Sequence, residues 1–203
     1  MPIIILLKFT GEGEIFFLQE RIGKNGEIFK LFKLATMLKD SPNIGSKTIT
    51  IQSDPRVLPV GKVLRKTKIN ELPQLLNILI GNMSFIGPRP LTEETFALYK
   101  ASTKSLILTV RPGLSGIGSI VFREEEKILK DEAATQTYYD EVIAPYKGAL
   151  EEWFVMNNNT YIYILSILIT FWVVLFPESS IIFKIFPKLP RPPAKLKILL
   201  NYK

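Results

Sequence analysis

The 203-residue sequence contains neither cysteine nor histidine. Their absence excludes disulfide bonds, thiolate or imidazole catalysis, and the zinc sites that these side chains usually form. An acid, base or nucleophile must therefore come from a carboxylate, lysine, tyrosine or hydroxyl group. The sequence also has no apolar run of about 20 residues, the length that spans a bilayer, and its start lacks the features of a secretory signal.

Positive charge and apolar residues are abundant. The formal net charge is +7, 47% of the residues are hydrophobic, and the mean hydropathy is +0.19. This length suffices for one domain with a core, and the hydropathy favours association with a membrane. The excess positive charge suits nucleic acid, anionic lipid or phosphorylated substrates. Because no nucleic-acid-binding motif or aromatic stacking platform is present, we expect no nucleic acid partner.

Residues 62–90 contain a predicted apolar helix with polar residues at both ends. Asn70 is a favoured N-cap, Glu71 follows in the first turn, Pro73 is tolerated there, and Gly81 ends the helix. Leucines fall at helical spacing between these positions: Leu72, Leu75, Leu76 and Leu79. Three cations precede the helix: Arg65, Lys66 and Lys68. Free amides at a helix start, with cations beside them, favour a phosphate site.

Arg89 follows that helix and lies between Pro88 and Pro90, which restrict the backbone. A rigidly held arginine suits bidentate phosphate recognition. Taken singly, these features also have plainer interpretations, because an asparagine before a helix is usually only a cap and Pro-Arg-Pro is often a stiff surface turn. Their combination in one segment favours phosphate binding.

Further cations lie beside predicted turns. Asn25-Gly26 predicts a hairpin, followed by a half-buried strand that includes Lys33. Lys33 is either a solvated residue on the strand face or a phosphate contact. Arg111 and Arg123 bracket a glycine-containing loop, and this arrangement favours anion binding, although glycine clusters more often only permit turns.

The second half of the chain predicts helices at 124–130 and 138–153, with Pro145 starting or kinking the latter. Residues 161–176 are the most hydrophobic run. They are short for a bilayer span, so they either lie at the membrane interface or pack on a partner, and a transmembrane span is the less favoured interpretation.

The predictions for the two ends of the chain and for one internal loop rest mainly on composition. Residues 1–7 are apolar and, on their own, could form a buried strand. A loop is predicted at 41–59, with a short strand at 48–51. We divide the chain into a domain at 1–176 and a basic, proline-containing tail at 177–203, which suits an anionic membrane surface at about 1 kcal/mol per cation. The cations of the tail are Lys184, Lys188, Arg191, Lys195, Lys197 and Lys203.

Several short motifs together resemble the core signature of the bacterial sugar transferases, the small monotopic phosphoglycosyl transferases. The three strongest are NELPQ at 70–74, GNMS at 81–84 and GPRP at 87–90. Further matches are QERIG at 19–23, FKLFKLATM at 29–37, DPR at 54–56, LRK at 64–66 and RPGLSG at 111–116. The resemblance runs in order from about residue 9 to residue 123.

The resemblance implies a mixed α/β (α+β) monotopic domain with short strands and amphipathic surface helices. It places the protein on the cytoplasmic face of the bacterial inner membrane. Members of the family enter the membrane through a longer, proline-broken N-terminal helix, so we expect either a truncated start or an abbreviated anchor in this chain. The implied reaction moves a sugar phosphate from a nucleotide (UDP) sugar to a polyprenyl (undecaprenyl) phosphate with Mg²⁺. This step initiates a surface polysaccharide or glycoconjugate, such as exopolysaccharide or lipopolysaccharide, which downstream glycosyltransferases extend.

The resemblance also implies site residues. Glu71 is the main catalytic carboxylate and the Mg²⁺ ligand, paired with Asn70. Implied substrate contacts are Arg21, Lys33, Arg65, Pro88, Arg89, Pro90, Arg111 and Arg123.

In the family an aspartate precedes the glutamate and attacks the phosphate, whereas here that position is Asn70, an amide and a poor nucleophile. Asn82 and Tyr163 also stand where relatives carry aspartate. Three interpretations remain open: Glu71 attacks, the lipid phosphate displaces directly, or the protein is a catalytically silent homologue that binds nucleotide sugar or a partner glycosyltransferase.

Overall fold

The structure, a computed structural model, describes residues 2–10, 12–43, 50, 54–129 and 136–202. It confirms the mixed α/β class: helices surround two small sheets of two strands each within this part of the chain. The first half contains α1 (Pro2–Phe9), β1 (Phe16–Ile22), β2 (Ile28–Leu34), α2 (Pro59–Lys66), α3 (Gln74–Leu79) and β3 (Ser84–Ile86). The second half contains α4 (Glu93–Ala97), α5 (Ala101–Ile107), β4 (Gly113–Ser115), α6 (Ile117–Val121), α7 (Glu125–Ile128), α8 (Ala144–Asn157), α9 (Thr160–Leu175), α10 (Ile181–Ile185) and α11 (Ala194–Lys197).

Strands β1 and β2 form the predicted hairpin, antiparallel from the Phe16–Leu34 pair to the Ile22–Ile28 pair. Asn25 (φ 58°) supplies a left-handed backbone at the turn, as its Asn-Gly sequence predicts. The N-terminal residues form helix α1, so their interpretation as a strand was wrong. Burial of Leu7 against the domain holds this helix in place.

The segment after α2 corrects the predicted helix start. Asn70 lies in a 3₁₀ turn, Ile69–Glu71, and helix α3 begins three residues later than expected. A capping asparagine would accept a hydrogen bond from the second or third amide of the helix. The amide of Leu72 already donates to the Ile69 carbonyl, and Pro73 has no amide hydrogen, so Asn70 has nothing to cap.

Helix α3 is inverted relative to an ordinary surface helix. Its polar residues Gln74 and Asn77 are buried, whereas the leucines of the segment are 39–80% exposed. The side chain of Asn77 donates to the Lys30 carbonyl (2.9 Å) and accepts from the Phe32 amide (3.0 Å). These bonds tie the polar face of α3 to β2 and leave the apolar face outward.

The glycine-containing loop passes close to the Pro-Arg-Pro segment. Strands β3 and β4 pair in parallel, with Ser84 opposite Gly113. A Cβ atom on Gly113 would lie 2.1 Å from the backbone nitrogen of Gly87, and one on Gly116 would lie 2.1 Å from the Gly87 carbonyl oxygen. Glycine is therefore needed here because two backbone segments touch.

Helices α8 and α9 form the main core. The predicted helix at 138–153 appears as a π-helical turn, Tyr139–Ile143, followed by α8, with Pro145 in the first turn of α8 as expected. Helix α9 covers 16 residues of the hydrophobic run. None of the helices in the described ranges combines the length and hydropathy needed to cross a membrane.

The tail packs on α8. The hydroxyl of Tyr146 donates to the Pro190 carbonyl (2.9 Å), and the rings of Trp153 and Phe186 lie 5.4 Å apart. Three predictions extend beyond the described residues: the strand at 48–51, the end of the helix at 124–130, and Lys203.

Candidate active site

One large cavity, with a volume of about 1370 Å³, joins the hairpin, the α2–α3 segment, the glycine-containing loop, α8 and α9. One part of its wall carries charged side chains, and another part is apolar. The charged wall includes Arg21, Lys33, Arg65, Lys68, Glu71, Arg89 and Arg123. The structure therefore brings most of the predicted site residues to one place.

Glu71 ends the 3₁₀ turn before α3, and its side chain is 14% exposed. Its Oε1 lies 3.9 Å from Nη2 of Arg89. Burial alone raises the pKa of Glu71, but the positive charges of Arg89, Lys68, Lys33 and Arg123 outweigh burial and hold that pKa at about 2. Glu71 is therefore ionised across the physiological pH range.

Arg89 is fixed from three directions. Its guanidinium faces Glu71 and lies 3.5 Å from Oγ of Ser119, and its backbone amide donates to Oε1 of Glu151 (3.3 Å). Burial acts to lower the pKa of Arg89, but the carboxylates of Glu71 and Glu125 raise it overall. The guanidinium is thus a permanent cation on the charged wall of the cavity.

The hairpin contributes two more cations. Arg21 donates to the Pro90 carbonyl (3.1 Å) and to Oε1 of Gln19 (2.5 Å). Burial, reinforced by the charge of Arg89, lowers the pKa of Arg21 to about 10. Burial, followed by repulsion from Arg21, lowers the pKa of Lys33 to about 7. Lys33 is therefore a largely buried residue of the cavity wall, and not a fully solvated residue on the strand face.

Lys68 and Arg123 complete the ring of cations around Glu71. Lys68 lies between α2 and the 3₁₀ turn, where its backbone is left-handed (φ 61°). Arg123 donates to the Lys66 carbonyl (3.3 Å). Arg65 reaches the cavity but pairs with Glu126 at 2.6 Å.

Some predicted contacts lie apart from the cavity wall. Arg111 is exposed, and Pro88 and Pro90 are buried behind Arg89, where they restrict the backbone rather than face the cavity. Tyr163 accepts a hydrogen bond from the Ile86 amide (3.4 Å) and so ties α9 to β3.

Asn70 lines the cavity beside Glu71 and is 6% exposed. Its Oδ1 is buried and has no hydrogen-bond partner within the described structure. No group of three or more acidic side chains that could hold a metal is found among the described residues. Mg²⁺ commonly takes only one or two protein oxygens and completes its shell with water and substrate phosphate, so the oxygens of Glu71 and Asn70 fit it.

Sequence reasoning missed a second group of ionisable residues that also line the cavity. These are Tyr99, Glu125, Tyr139, Lys147 and Glu151. Lys147 is 7% exposed, and its Nζ pairs with Glu125 at 2.5 Å. A signal for this group was available, because Lys147 and Glu151 fall at helical spacing with the buried Ile143, Leu150 and Phe154.

The apolar wall of the cavity comes from β1, the segment at 72–75, β3 and α9. Its side chains include Phe16, Leu18, Leu72, Leu75, Phe85 and Phe171, each of which is also exposed to solvent by 39–67%. An ionised carboxylate ringed by cations thus shares one cavity with a surface that favours a hydrocarbon chain. These features define a site for an anionic group attached to, or transferred to, an apolar molecule.

Comparison with known proteins agrees with this class. The sequence model of the bacterial sugar transferase family matches residues 1–177. An exopolysaccharide production protein, ExoY, of Sinorhizobium fredii is 40% identical over 134 residues, 59% of this chain and 59% of that protein. A galactosyl transferase, CpsE, of Streptococcus agalactiae is 32% identical over 173 residues, 80% of this chain and 35% of that protein. A UDP-N-acetylgalactosamine-undecaprenyl-phosphate N-acetylgalactosaminephosphotransferase of Aeromonas hydrophila is 38% identical over 126 residues, 58% of this chain and 28% of that protein.

The chain belongs to the bacterial sugar transferase family. Its relatives include undecaprenyl-phosphate sugar phosphotransferases. The matched part of the chain spans 59% or less of the length of the three relatives described above.

Proposed function

We propose that the protein transfers a sugar phosphate from a UDP-sugar to a polyprenyl phosphate. The observation that carries this proposal is the single cavity that joins the cation-ringed Glu71 to an apolar wall. A nucleotide sugar needs the cations, and a polyprenyl chain needs the apolar wall, so both substrates can meet there. The names of the relatives, which include undecaprenyl-phosphate phosphotransferases, support the same reaction.

The cations have a clear task in this reaction. Two phosphorylated substrates bring several negative charges to a site that already contains ionised Glu71. Arg89 and Lys68, together with Arg123, offset that charge and orient the phosphate groups, since guanidinium groups bind phosphate in a fixed geometry. Lys33, with its lowered pKa, becomes charged when phosphate binds beside it.

We further propose that Glu71 and Asn70 hold Mg²⁺ together with phosphate oxygens of the donor. The unpartnered Oδ1 of Asn70 and the ionised carboxylate of Glu71 are the hard oxygen donors that this cation prefers. When bound, Mg²⁺ would neutralise charge on the transferred phosphate.

The transfer replaces one P–O bond with another. A bond forms to the phosphorus next to the sugar, and the P–O bond to the nucleoside monophosphate breaks, so that this product leaves with the electron pair. In one route Glu71 attacks first, and the lipid phosphate then cleaves the resulting acyl phosphate. In the other route the lipid phosphate attacks directly while Glu71 and Asn70 orient the donor. Glu71 is the main catalytic carboxylate in both routes.

Exposed apolar side chains support a membrane surface as the location of the proposed reaction. They cluster on α1, on the outer face of α3 and on α9, and include Ile5, Phe9, Leu76, Leu79, Tyr161, Leu168 and Leu175. We propose that the protein lies on the cytoplasmic face of the bacterial inner membrane. There its lipid-linked product would begin an exopolysaccharide or related surface glycan, such as lipopolysaccharide, and pass to downstream glycosyltransferases.

The test measures release of nucleoside monophosphate from a panel of UDP-sugars, with the protein in vesicles that contain undecaprenyl phosphate and Mg²⁺. We expect release by the native protein and loss of release in Glu71→Gln. Glu94→Gln, an exposed carboxylate on α4 away from the cavity, is the matched control and should keep full activity. Mass spectrometry of the protein during turnover distinguishes the two routes, because only attack by Glu71 leaves a phosphosugar on the protein.

Two outcomes would contradict the proposal. If the native protein is silent with every donor and Asn70→Asp restores release, the site is preserved but has lost its nucleophile, and a nucleotide-sugar-binding role replaces the enzyme. If neither form turns over and neither binds UDP, the cavity does not serve this reaction.

A further inference from the structure

Glu151 is a buried carboxylate that the sequence signature does not single out. It lies in the middle of α8, is 2% exposed, and lines the cavity. Its Oε1 accepts the backbone amide of Arg89 (3.3 Å), and its Oε2 has no hydrogen-bond partner in the described part of the structure. Burying a carboxylate with only one oxygen hydrogen-bonded costs folding free energy, which suggests that Glu151 has a functional role.

The bond to Arg89 is significant because of the sequence around that residue. Pro88 and Pro90 have no amide hydrogen, so Arg89 supplies the only backbone donor of the three residues. The guanidinium of Arg89 meanwhile lies 3.9 Å from Glu71 and 3.5 Å from Ser119. The backbone of this residue is thus held on one side by Glu151 while its side chain faces the reaction centre.

Two glycines, Gly116 just before α6 and Gly118 within it, leave space for the Glu151 carboxylate. A Cβ atom on Gly118 would lie 2.5 Å from Oε1 of Glu151 and 3.3 Å from its Cδ. A Cβ atom on Gly116 would lie 3.8 Å from Oε2. Gly118 therefore cannot become alanine without displacing Glu151 from the Arg89 amide.

We propose that Glu151 is a positioning residue for Arg89: by accepting the lone backbone amide of the Pro-Arg-Pro segment, it aims the guanidinium at the phosphate bound beside Glu71. This inference rests on the proposed function for the identity of the phosphate, but the bond itself does not depend on it. Glu151 acts through Arg89 and does not touch the substrate.

The charges around Glu151 make its role sensitive to pH. Burial raises the pKa of Glu151 to about 7, against the opposing effects of the Arg89 amide and the charges of Lys147 and Arg89. Glu125, Tyr99 and Tyr139 line the same part of the cavity. An ionised Glu151 is a second anion near Arg89, so it competes with phosphate for that cation. We expect the affinity for UDP to fall as the pH rises through 7.

The first experiment needs no substrate. The amide ¹H–¹⁵N signal of Arg89 is followed by NMR in the full chain, in detergent, between pH 5 and 9. In the native protein we expect a titration near pH 7. In Glu151→Gln the side-chain oxygen still accepts the amide, so the signal stays at its low-pH position without titrating. In Glu151→Leu the bond is absent, and the Arg89 amide exchanges with solvent at least tenfold faster.

The second experiment measures UDP binding by calorimetry. Glu151→Leu should weaken UDP binding by about tenfold, the effect of one lost positioning hydrogen bond, whereas Glu151→Gln should stay within about threefold of the native affinity. The affinity of Glu151→Gln should depend on pH less steeply than that of the native protein, and the dependence that remains comes from Lys33. Glu152→Gln is the matched control, because that neighbouring carboxylate accepts from Thr103 and does not line the cavity. It should match the native protein throughout.

Gly118→Ala keeps the proposal testable if Glu151→Leu does not fold. It should release the Arg89 amide as Glu151→Leu does, whereas Gly148→Ala, whose Cβ atom would meet only an ordinary contact at 3.4 Å, should not.

The positioning role is overturned if the Arg89 amide neither titrates nor changes its exchange rate in these variants. It is also overturned if Glu151→Gln binds UDP as weakly as Glu151→Leu. If the native protein binds no UDP, the proposed function fails, and the amide signal alone decides the role of Glu151.

Discussion

Glu71 and Lys33 line the same cavity, and the pKa of each side chain is lowered by its surroundings. The surrounding cations keep Glu71 ionised, and burial, followed by repulsion from Arg21, lowers the pKa of Lys33 to about 7, so this amine is only partly protonated at physiological pH. The charged wall therefore has less positive charge than its sequence suggests. A phosphorylated ligand would restore the missing charge by drawing a proton onto Lys33.

Proton uptake on nucleotide binding is the first prediction at this scale. At pH 8 an amine with a pKa of about 7 is largely neutral. Binding of UDP should charge it and take up as much as about 0.9 proton per site. Calorimetry in two buffers of different ionisation enthalpy measures this number. To remove the other group with a pKa near 7, the measurement is made in a Glu151→Gln background.

Lys33→Met should abolish the uptake, whereas Lys30→Met should not. Lys30 is exposed on the same strand and does not line the cavity, so it is the matched control. Equal uptake in the two variants would assign the proton to another group.

A second prediction concerns the stability cost of Glu151. Its folded pKa of about 7 lies above the ordinary value of 4.5, so folding favours the protonated form. The associated stability is fully present below pH 4.5 and is lost as the pH rises through 7, a change of about 3 kcal/mol in the free energy of unfolding. Glu151→Gln lacks this titration. In urea unfolding it should gain stability relative to the native protein between pH 5 and pH 8, and parallel profiles for the two proteins would contradict this assignment.

Helix α3 shows most clearly what the sequence could and could not predict. The leucine spacing correctly indicated a helix with one apolar face, because that pattern is local. The same spacing does not say whether the face meets a core or the outside. The answer depends on Asn77, whose two hydrogen bonds to β2 join residues more than 40 positions apart.

Other successes and failures follow the same division. The hairpin at Asn25 and the first turn of α8 at Pro145 were predictable from short-range backbone preferences. The cap assigned to Asn70 failed because Pro73 removes an amide that the cap would need. The site was predictable as far as its motif reaches, through Arg89, whereas Glu151 comes from a helix 62 residues later and was visible only as a charge on a buried helical stripe.

Asn77→Ala tests the anchoring of α3. The substitution removes a fully buried side chain that is the partner of the Phe32 amide and the Lys30 carbonyl, so the free energy of unfolding should fall by about 2–4 kcal/mol. Urea denaturation measures the change. Asn158→Ala, at an exposed position between α8 and α9, should alter stability by less than about 0.5 kcal/mol. A similarly small effect for Asn77→Ala would mean that α3 is held mainly by other contacts.

At the scale of the whole molecule, the inverted α3 and the exposed face of α9 serve the same cavity. Leu75 of α3, Leu72 just before it, and Phe171 of α9 line its wall while remaining accessible to solvent. Such apolar surface is unfavourable in water and favourable against lipid. In the proposed reaction, a polyprenyl phosphate would keep its hydrocarbon chain against this wall while its phosphate reaches Arg89.

The outer leucines of α3 test this arrangement without touching the cavity. Leu76 and Leu79 are 50% and 80% exposed and do not line it. The double substitution Leu76→Glu/Leu79→Glu should leave the free energy of unfolding within about 1 kcal/mol of the native value, because no buried contact is lost. Binding to vesicles should fall by at least about tenfold, since two apolar side chains are replaced by charges that resist the hydrocarbon boundary. Flotation with vesicles measures the bound fraction.

Ser102→Glu/Ser105→Glu, which adds the same two charges to exposed positions of α5, is the control and should bind as the native protein does. Equal losses in the two double variants would attribute the effect to charge alone, and unchanged binding of the leucine variant would remove α3 from the membrane-facing surface.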